Sequence, residues 1–342
     1  MSRAFRNLMV TGGAGFIGVN FIRWLFEQND CPDRIVNVDA LTYAGNPLSL
    51  LDTAEKAGAR YVFVDAAKMK EIIEKYEIDA IAHFAAESHV DRSIVRPDEF
   101  VRTNILGTYT LLQAAREHAS QIQLFHHVST DEVFGSLGDS GFFREDTPYA
   151  PNSPYSASKA SADLICRAWY ETYGFPVIVT RCSNNYGPYQ FPEKLIPLMY
   201  SRAMRDEPLP VYGDGRNVRD WIYVDDHCQG VLLALQKGRP GAVYNFGGNA
   251  ERGNLDVVRE ILRYCGKPES LIRFVTDRPG HDRRYAMEYS LAAEELGFSP
   301  SLSFEDGLQQ TLRWYGENED WVRGVTSGAY LSFMQEWYGD RV

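Results

Sequence analysis

The sequence predicts an α/β fold: a Rossmann-type doubly wound parallel sheet with a smaller α/β substrate-binding domain in the C-terminal half. Three observations carry this. Short apolar, β-branched runs alternate with helical patterns from Asn7 to Cys182, which is the pattern of βαβ units. The first run ends in a glycine-rich turn, TGGAGFIG. From Asn184 onward the alternation breaks into turn-dense sequence with scattered helices.

In chain order the runs are NLMVT, a helix after Gly15, RIVNVDA, ARYVFVD followed by the helical KMKEIIEKY, and DAIAHFAA. A helix from about Asp98 to His118, the run IQLFHHVST, a helix from Pro154 to Tyr173 and PVIVTRC complete the first half. Strands this apolar are expected to be covered on both faces. After NNYGPYQFP, YGDGRN, GKPES and DRPGH mark turns, with LDVVREILRYC and SFEDGLQQTLRWY as helices among them, while AVYNFGG reads as one more strand of the main sheet. The expected organisation is therefore a dinucleotide-binding domain over residues 1–183 completed by 222–247, and a second domain over 184–221 and 248–342.

Bulk properties narrow the class. A chain of 342 residues is long for one core, and 44% hydrophobic content is enough to build a sizeable one. A net charge of -11 disfavours nucleic acid or an anionic membrane surface as partner, leaving room for local basic pockets. The five cysteines are widely spaced with no C-x-x-C pair and read as reduced thiols of a cytoplasmic protein; no metal site is expected. No signal-peptide pattern opens the chain, and no apolar run reaches the ~18 residues of a membrane span.

The glycine turn spaces Gly12, Gly15 and Gly18 three apart. Glycines there let the backbone approach a pyrophosphate seated on the positive end of the following helix. The triplet alone could be only a turn, but it follows a strand, opens a helix, and precedes Asp39 at the end of the second strand. An acid at that distance suits the adenosine ribose hydroxyls and would repel a 2'-phosphate, so NAD is favoured over NADP; a plain strand-end cap is the alternative.

The helix entered through Ser153-Pro154 carries Tyr155 and Lys159 four apart, hence on one face. A neighbouring ammonium favours a phenolate, so Lys159 is expected to lower the Tyr155 pKa and make it a base. The strand before it ends in VSTDEVFG. Ligands bind beyond the carboxyl ends of strands in such sheets, and where the chain leaves the ladder Asp131 and Glu132 can both face one substrate. His126 and His127, inside that strand, read as structural.

The G-x-x-G-x-x-G spacing resembles the extended short-chain dehydrogenase/reductase superfamily. Within it, STDEV, YSASK, CSNNYGPYQFPEKLIP, RDWIYVDDH and DRPGHDRRY resemble the nucleotide-sugar 4,6-dehydratases, from about residue 8 to about 290. Ala40, Phe84 and the run VDAA at 64–67 depart from the usual pattern on the adenosine side.

The resemblance implies a tightly bound NAD and a nucleotide-sugar substrate, dTDP-glucose, dehydrated through internal redox. Tyr155 would take the proton of the 4-hydroxyl, Glu132 the proton of carbon 5, and Asp131, held neutral by burial beside another carboxylate, would protonate the departing 6-hydroxyl. Thr130 would bond the 4-oxygen. The implied cofactor neighbours are Phe16, Ile17, Leu41, Thr42, Asp65, Ala66, Phe84, Ala85, Ala86, Thr103 and Asn185, besides the glycines, Asp39, Tyr155 and Lys159.

On the substrate side it implies Ser88, Asn184, Lys194, Leu195, Pro210, Val211, Tyr212, Arg219, Asn254, Arg278 and His281. The two arginines would fork onto phosphate, and Tyr212 would stack on a pyrimidine. A homodimer is also implied. The competing readings are a 4-epimerase or decarboxylase of the same superfamily, which has no use for the adjacent acids, or an NAD-binding scaffold.

Overall fold

A computed structural model of the chain describes residues 2–65 and 69–326. Its first half lays down β1 (Asn7–Thr11), α1 (Phe16–Glu27), β2 (Arg34–Asp39), α2 (Leu51–Ala57), β3 (Tyr61–Asp65), α3 (Met69–Lys75) and β4 (Ala80–His83). There follow α4 (Val90–Val95), α5 (Pro97–Phe100), α6 (Thr108–Glu117), β5 (Leu124–Thr130), α7 (Pro154–Tyr173) and β6 (Val177–Cys182). Where a single helix is expected from Asp98 to His118, α5 and α6 are joined by a π-helical stretch, Val101–Gly107, whose wider turn lets Asn104 reach inward to Ser158 and the Glu87 backbone.

The second half contains β7 (Asn184–Tyr186), α8 (Leu195–Met204), β8 (Leu209–Tyr212), β9 (Val218–Tyr223), α9 (Val224–Lys237) and β10 (Val243–Phe246). Then come β11 (Glu251–Gly253), α10 (Asn254–Cys265), β12 (Ile272–Val275), α11 (Ser290–Leu296), α12 (Phe304–Glu317) and α13 (Glu319–Val325).

The main sheet has the order β10-β6-β5-β4-β1-β2-β3, all parallel. Every residue of β4, β5 and β6 is buried, because helices cover both faces. The order reverses between β1 and β4, so the chain leaves these two strands in opposite directions and opens a crevice at their carboxyl ends. Register places Thr11 beside His83, and Thr130 beside Cys182, so the exits of β1, β4, β5 and β6 lie along one rim.

The smaller lobe has a three-stranded sheet, β11-β9-β7, and a two-stranded parallel pair, β12-β8. Its core gathers Tyr186, Trp221, Tyr223 and Phe304 with apolar residues of α8, α10 and α12. β10 returns from this lobe to pair with β6, so the chain crosses between the two lobes and back.

Candidate active site

The candidate catalytic rim is built where β5 ends. Thr130 leaves the strand extended and caps a 3-10 turn over Asp131–Phe134: its Oγ accepts from the Glu132 amide at 3.3 Å and donates to Asp131 Oδ1 at 3.2 Å. The tight turn removes the period-2 alternation, so the two acids project into neighbouring environments. Burial, and then the nearby Glu132 charge, push the Asp131 carboxyl well above the usual range. Burial also raises Glu132, but Arg278, Arg219 and Lys194 oppose it. Both acids are thus raised by burial, Asp131 strongly and Glu132 against the pull of three nearby cations.

The helix facing them starts with a reciprocal cap, Ser153 and Ser156 each bonding the other's backbone, with Pro154 at the first position; Gly174 ends it in the left-handed conformation. Tyr155 and Lys159 are both buried on its inner face. Lys159 Nζ donates to the Val128 carbonyl at 2.8 Å and lies 3.5 Å from His127 Nε2. The expected lowering of the tyrosine is not found. Burial first, and then the negative Glu132, raise the phenol well above its ordinary value, while a hydrogen bond with Thr130 partly opposes them. The helical spacing of a lysine does not reveal those two larger effects.

On the cofactor side Gly12 has φ +72, and a Cβ there would lie 2.6 Å from the Ala85 amide nitrogen. A Cβ on Gly18 would lie 2.3 Å from the Gly12 carbonyl oxygen. A Cβ on Gly15 would have Gly12 oxygen at 3.4 Å as its nearest neighbour. Two glycines are therefore required by backbone contact, whereas Gly15 keeps open the face in front of α1. The first amides of α1, at Phe16, Ile17 and Gly18, have no side-chain cap and no acid in the first turn. These residues fit a pyrophosphate.

Asp39 is buried; it accepts from the Ala14 amide at 2.9 Å and the Leu41 amide at 2.8 Å, fastening the glycine loop to the turn at Leu41, whose φ is +50. Thr42 bonds Glu87, and Phe84 packs on Phe21. Ala85 and Thr103 line a second cleft with Thr11 and His83; Ala86 is half-buried in the loop after β4. Asn185 gives its amide to Ser183 and Cys182 and its oxygen to His227, tying the exits of β6 and β7 to α9. Asp65 ends β3 beside Asp39, and Ala66 lies outside the described residues.

The cleft in front of Glu132 is lined by Asn184, Lys194, Leu195, Pro210, Val211, Tyr212, Arg219, Asn254, Arg278 and His281. Ser88 is exposed at its edge, its carbonyl accepting from Lys194 Nζ at 2.8 Å. Residues spread over much of the sequence thus meet in one place. Arg219 and Asp220 are both buried on opposite faces of β9, so they form no surface ion pair: the guanidinium lies 4.2 Å from the Tyr285 ring, and Asp220 accepts from Ser183, Gly248 and Ala250. Asn184 Oδ1, Asn254 Oδ1, Arg278 Nε and Trp221 Nε1 are buried without hydrogen-bond partners among the described residues, as a polar ligand would require.

A family profile described as GDP-mannose 4,6 dehydratase matches residues 9–311. A dTDP-glucose 4,6-dehydratase of Xanthomonas campestris pv. campestris is 52% identical, the match covering 94% of this chain and 96% of that protein. The Salmonella typhimurium protein of the same name is 47% identical over 98% of this chain and 99% of its own. The chain belongs to the dTDP-glucose 4,6-dehydratase family. A solved dTDP-glucose 4,6-dehydratase from Streptomyces venezuelae, with NAD bound, superposes with a TM-score of 0.88 at 48% identity, covering 93% of this chain and 99% of that one.

The same region holds Asp91, which sequence reasoning did not single out, and His127, which it read as structural. Asp91, at the start of α4, accepts from Arg278 at 3.0 Å and from the Tyr212 hydroxyl at 2.8 Å. Tyr212 in turn meets the His281 ring edge-on at 5.9 Å. His127 is fully buried, and its ring lies between Lys159 and Asp163. The only local signal for Asp91 is a carboxylate shortly after β4, where the rim of the sheet lies.

Proposed function

We propose that this enzyme converts dTDP-glucose to dTDP-4-keto-6-deoxyglucose, using a resident NAD. The observation that carries this reading is the pair Asp131 and Glu132, adjacent acids in different electrostatic surroundings at the rim that also holds Tyr155 and Lys159. The relatives at 47–52% identity that carry this name, and the NAD-bound Streptomyces structure, support it.

When bound, NAD supplies reversible storage of the hydride taken from carbon 4 and delivered to carbon 6. The protein's own groups handle the protons. Tyr155 removes the proton of the 4-hydroxyl, and Lys159 holds the positive charge beside it. Thr130, already bonded to the tyrosine, orients the 4-oxygen. Once carbon 4 is a ketone, Glu132 removes the acidified proton of carbon 5. Asp131 protonates the 6-hydroxyl, which leaves as water, and a proton is later restored at carbon 5.

Residues 184–221 and 248 onward form the nucleotide-sugar lobe in this reading. Arg219, Arg278 and Lys194 face the diphosphate, and Tyr212 the base. Gly15 and the α1 amides receive the cofactor's pyrophosphate, and Asp39 with Leu41 and Thr42 the adenosine ribose. The enzyme works in the cytoplasm as a homodimer: α6, with the π-helical turn before it, and α7 pack side by side and present Leu106, Tyr109, Leu164 and Tyr173 outward, an apolar face suited to a second copy, and all five cysteines are free thiols. Among the described residues no helix is long and apolar enough to cross a membrane.

Incubation with dTDP-glucose and mass spectrometry of the sugar nucleotide tests the reaction. Loss of one water is expected. An unchanged mass with a new stereoisomer would assign an epimerase instead, and no turnover of any nucleotide sugar would leave a binding protein.

A further inference from the structure

Behind the catalytic lysine lies a buried charged assembly with no part in the steps above. Tyr155, Lys159 and Asp163 follow at four-residue spacing on the inner face of α7, about 6 Å apart along the axis. Asp163 Oδ2 accepts from Arg181 Nε at 3.1 Å and from the Tyr149 hydroxyl at 3.2 Å. The Arg181 guanidinium carbon lies 4.8 Å from the Phe134 ring and 5.0 Å from the Tyr149 ring. The other carboxylate oxygen is 3.5 Å from His127 Nε2, which is itself 3.5 Å from Lys159 Nζ. Arg181 and Asp163 are 3% and 2% exposed.

Resting on the assignment of Tyr155 and Lys159 as the pair that deprotonates the 4-hydroxyl, we propose that Asp163 is a positioning residue that keeps buried Lys159 an ammonium from the side of α7 away from Tyr155. Coulombic interaction weakens with distance, so a carboxylate one turn beyond the lysine favours its charge more than it opposes a phenolate two turns away. A carboxylate in direct contact with Nζ would occupy the ammonium's donors and cancel its field at the phenol. His127 keeps the two apart. A single ring nitrogen can donate to Asp163 or accept from Lys159, but not both.

The groups facing Lys159 are His127 from β5, His83 from β4, Cys182 from β6, and Cys166, Asp163 and Tyr155 from α7, with Arg181 behind Asp163. Burial lowers Lys159, and Asp163 is the carboxylate that opposes this. Burial alone would raise Asp163, but His127 and Arg181 outweigh it and hold the carboxyl at about 2, so it stays charged across the working range.

Asp163→Asn and the paired replacement Asp163→Leu with Arg181→Met, assayed as NAD-loaded enzyme on dTDP-glucose, separate this role from a structural ion pair. The paired variant removes both charges together, a change proteins often tolerate without loss of stability. The alkaline limb of kcat/KM should move to lower pH by about one unit in the paired variant, and further in Asp163→Asn, where Arg181 is left uncompensated. KM near neutral pH should change less than about twofold, since Asp163 does not touch the substrate cleft. An alkaline limb at the wild-type position in either folded variant overturns the proposal, even if its melting temperature drops. Wild-type enzyme run alongside keeps the two questions apart, because its failure to dehydrate dTDP-glucose would refute the assigned reaction and not the role of Asp163.

Discussion

Arg278 Nη1 lies 3.0 Å from Asp91 Oδ1, so the guanidinium that faces Glu132 is held by a buried carboxylate from the opposite lobe. The second oxygen of Asp91 takes the Tyr212 hydroxyl. One side chain therefore orients a cation and an aromatic ring of the substrate cleft. Replacing Asp91 with Asn leaves only one acceptor for two donors. Hydrogen bonds to charged groups are worth about 1.5–3 kcal/mol, so KM for dTDP-glucose should rise on the order of 10-fold or more, with kcat nearly unchanged. Steady-state kinetics checks this, and an equal fall in kcat would show that Asp91 acts on the chemistry.

Glu132→Gln and Tyr155→Phe should fail at different points. Without the Glu132 carboxylate, oxidation at carbon 4 proceeds but water loss slows by about 10²- to 10⁴-fold, so reduced nicotinamide builds up on the enzyme. Without the Tyr155 hydroxyl, neither reduced cofactor nor product forms at an appreciable rate. Single-turnover absorbance of the reduced cofactor distinguishes the two, and a Glu132→Gln enzyme that dehydrates at the normal rate would remove this carboxylate from its role.

Gly15→Ala and Gly18→Ala test the cofactor turn. A methyl at Gly18 meets backbone at 2.3 Å and 2.6 Å, so the turn itself must shift and both melting temperature and NAD content should fall. A methyl at Gly15 has no protein atom closer than 3.4 Å. That variant should melt like the wild type yet purify with little NAD, measured after acid release. Full NAD content in Gly15→Ala would show that this face does not approach the pyrophosphate.

Buried histidines should make the fold sensitive to mild acid, against the opposing effect of raised carboxyls such as Asp225 at about 6. Burial lowers His127 to about 4 and His227 to about 3. The unfolded chain takes up these protons near pH 6.5 and the folded chain cannot, so the histidines' contribution to stability is lost as pH drops from about 6.5 toward 4. The two histidines together are worth on the order of a few kcal/mol over that range. Asp163, held at about 2, contributes in the same sense at lower pH: its stabilisation is present above about 4 and is lost as pH falls toward 2. Denaturant midpoints at pH 7.0 and 4.5 check this, and His227→Asn should flatten the dependence.

The parts of the molecule legible in the sequence are those whose signal is local. Strand and helix periods, the spacing of Gly12, Gly15 and Gly18, and the four-residue step from Tyr155 to Lys159 all sit within single turns or elements. Asp91 was not legible because Tyr212 and Arg278 are 121 and 187 residues away. The raised Tyr155 phenol was missed for a related reason: the sequence shows the lysine one turn on, but not the burial or the Glu132 charge brought up from β5. His127 read as structural because alternation says only which face it takes, and that face turned out to hold Lys159 and Asp163.

The return of β10 to pair with β6 also bears on how the chain can be divided. A fragment ending after β6 would carry the whole glycine turn and the catalytic helix, but would present β6 as a bare edge with a row of unpaired amides and carbonyls. Such edges recruit other strands, so an isolated N-terminal half is prone to aggregate rather than to bind its dinucleotide. During synthesis the same edge stays uncovered until residues 243–246 have emerged, which makes the growing chain dependent on sequence from beyond its apparent domain boundary.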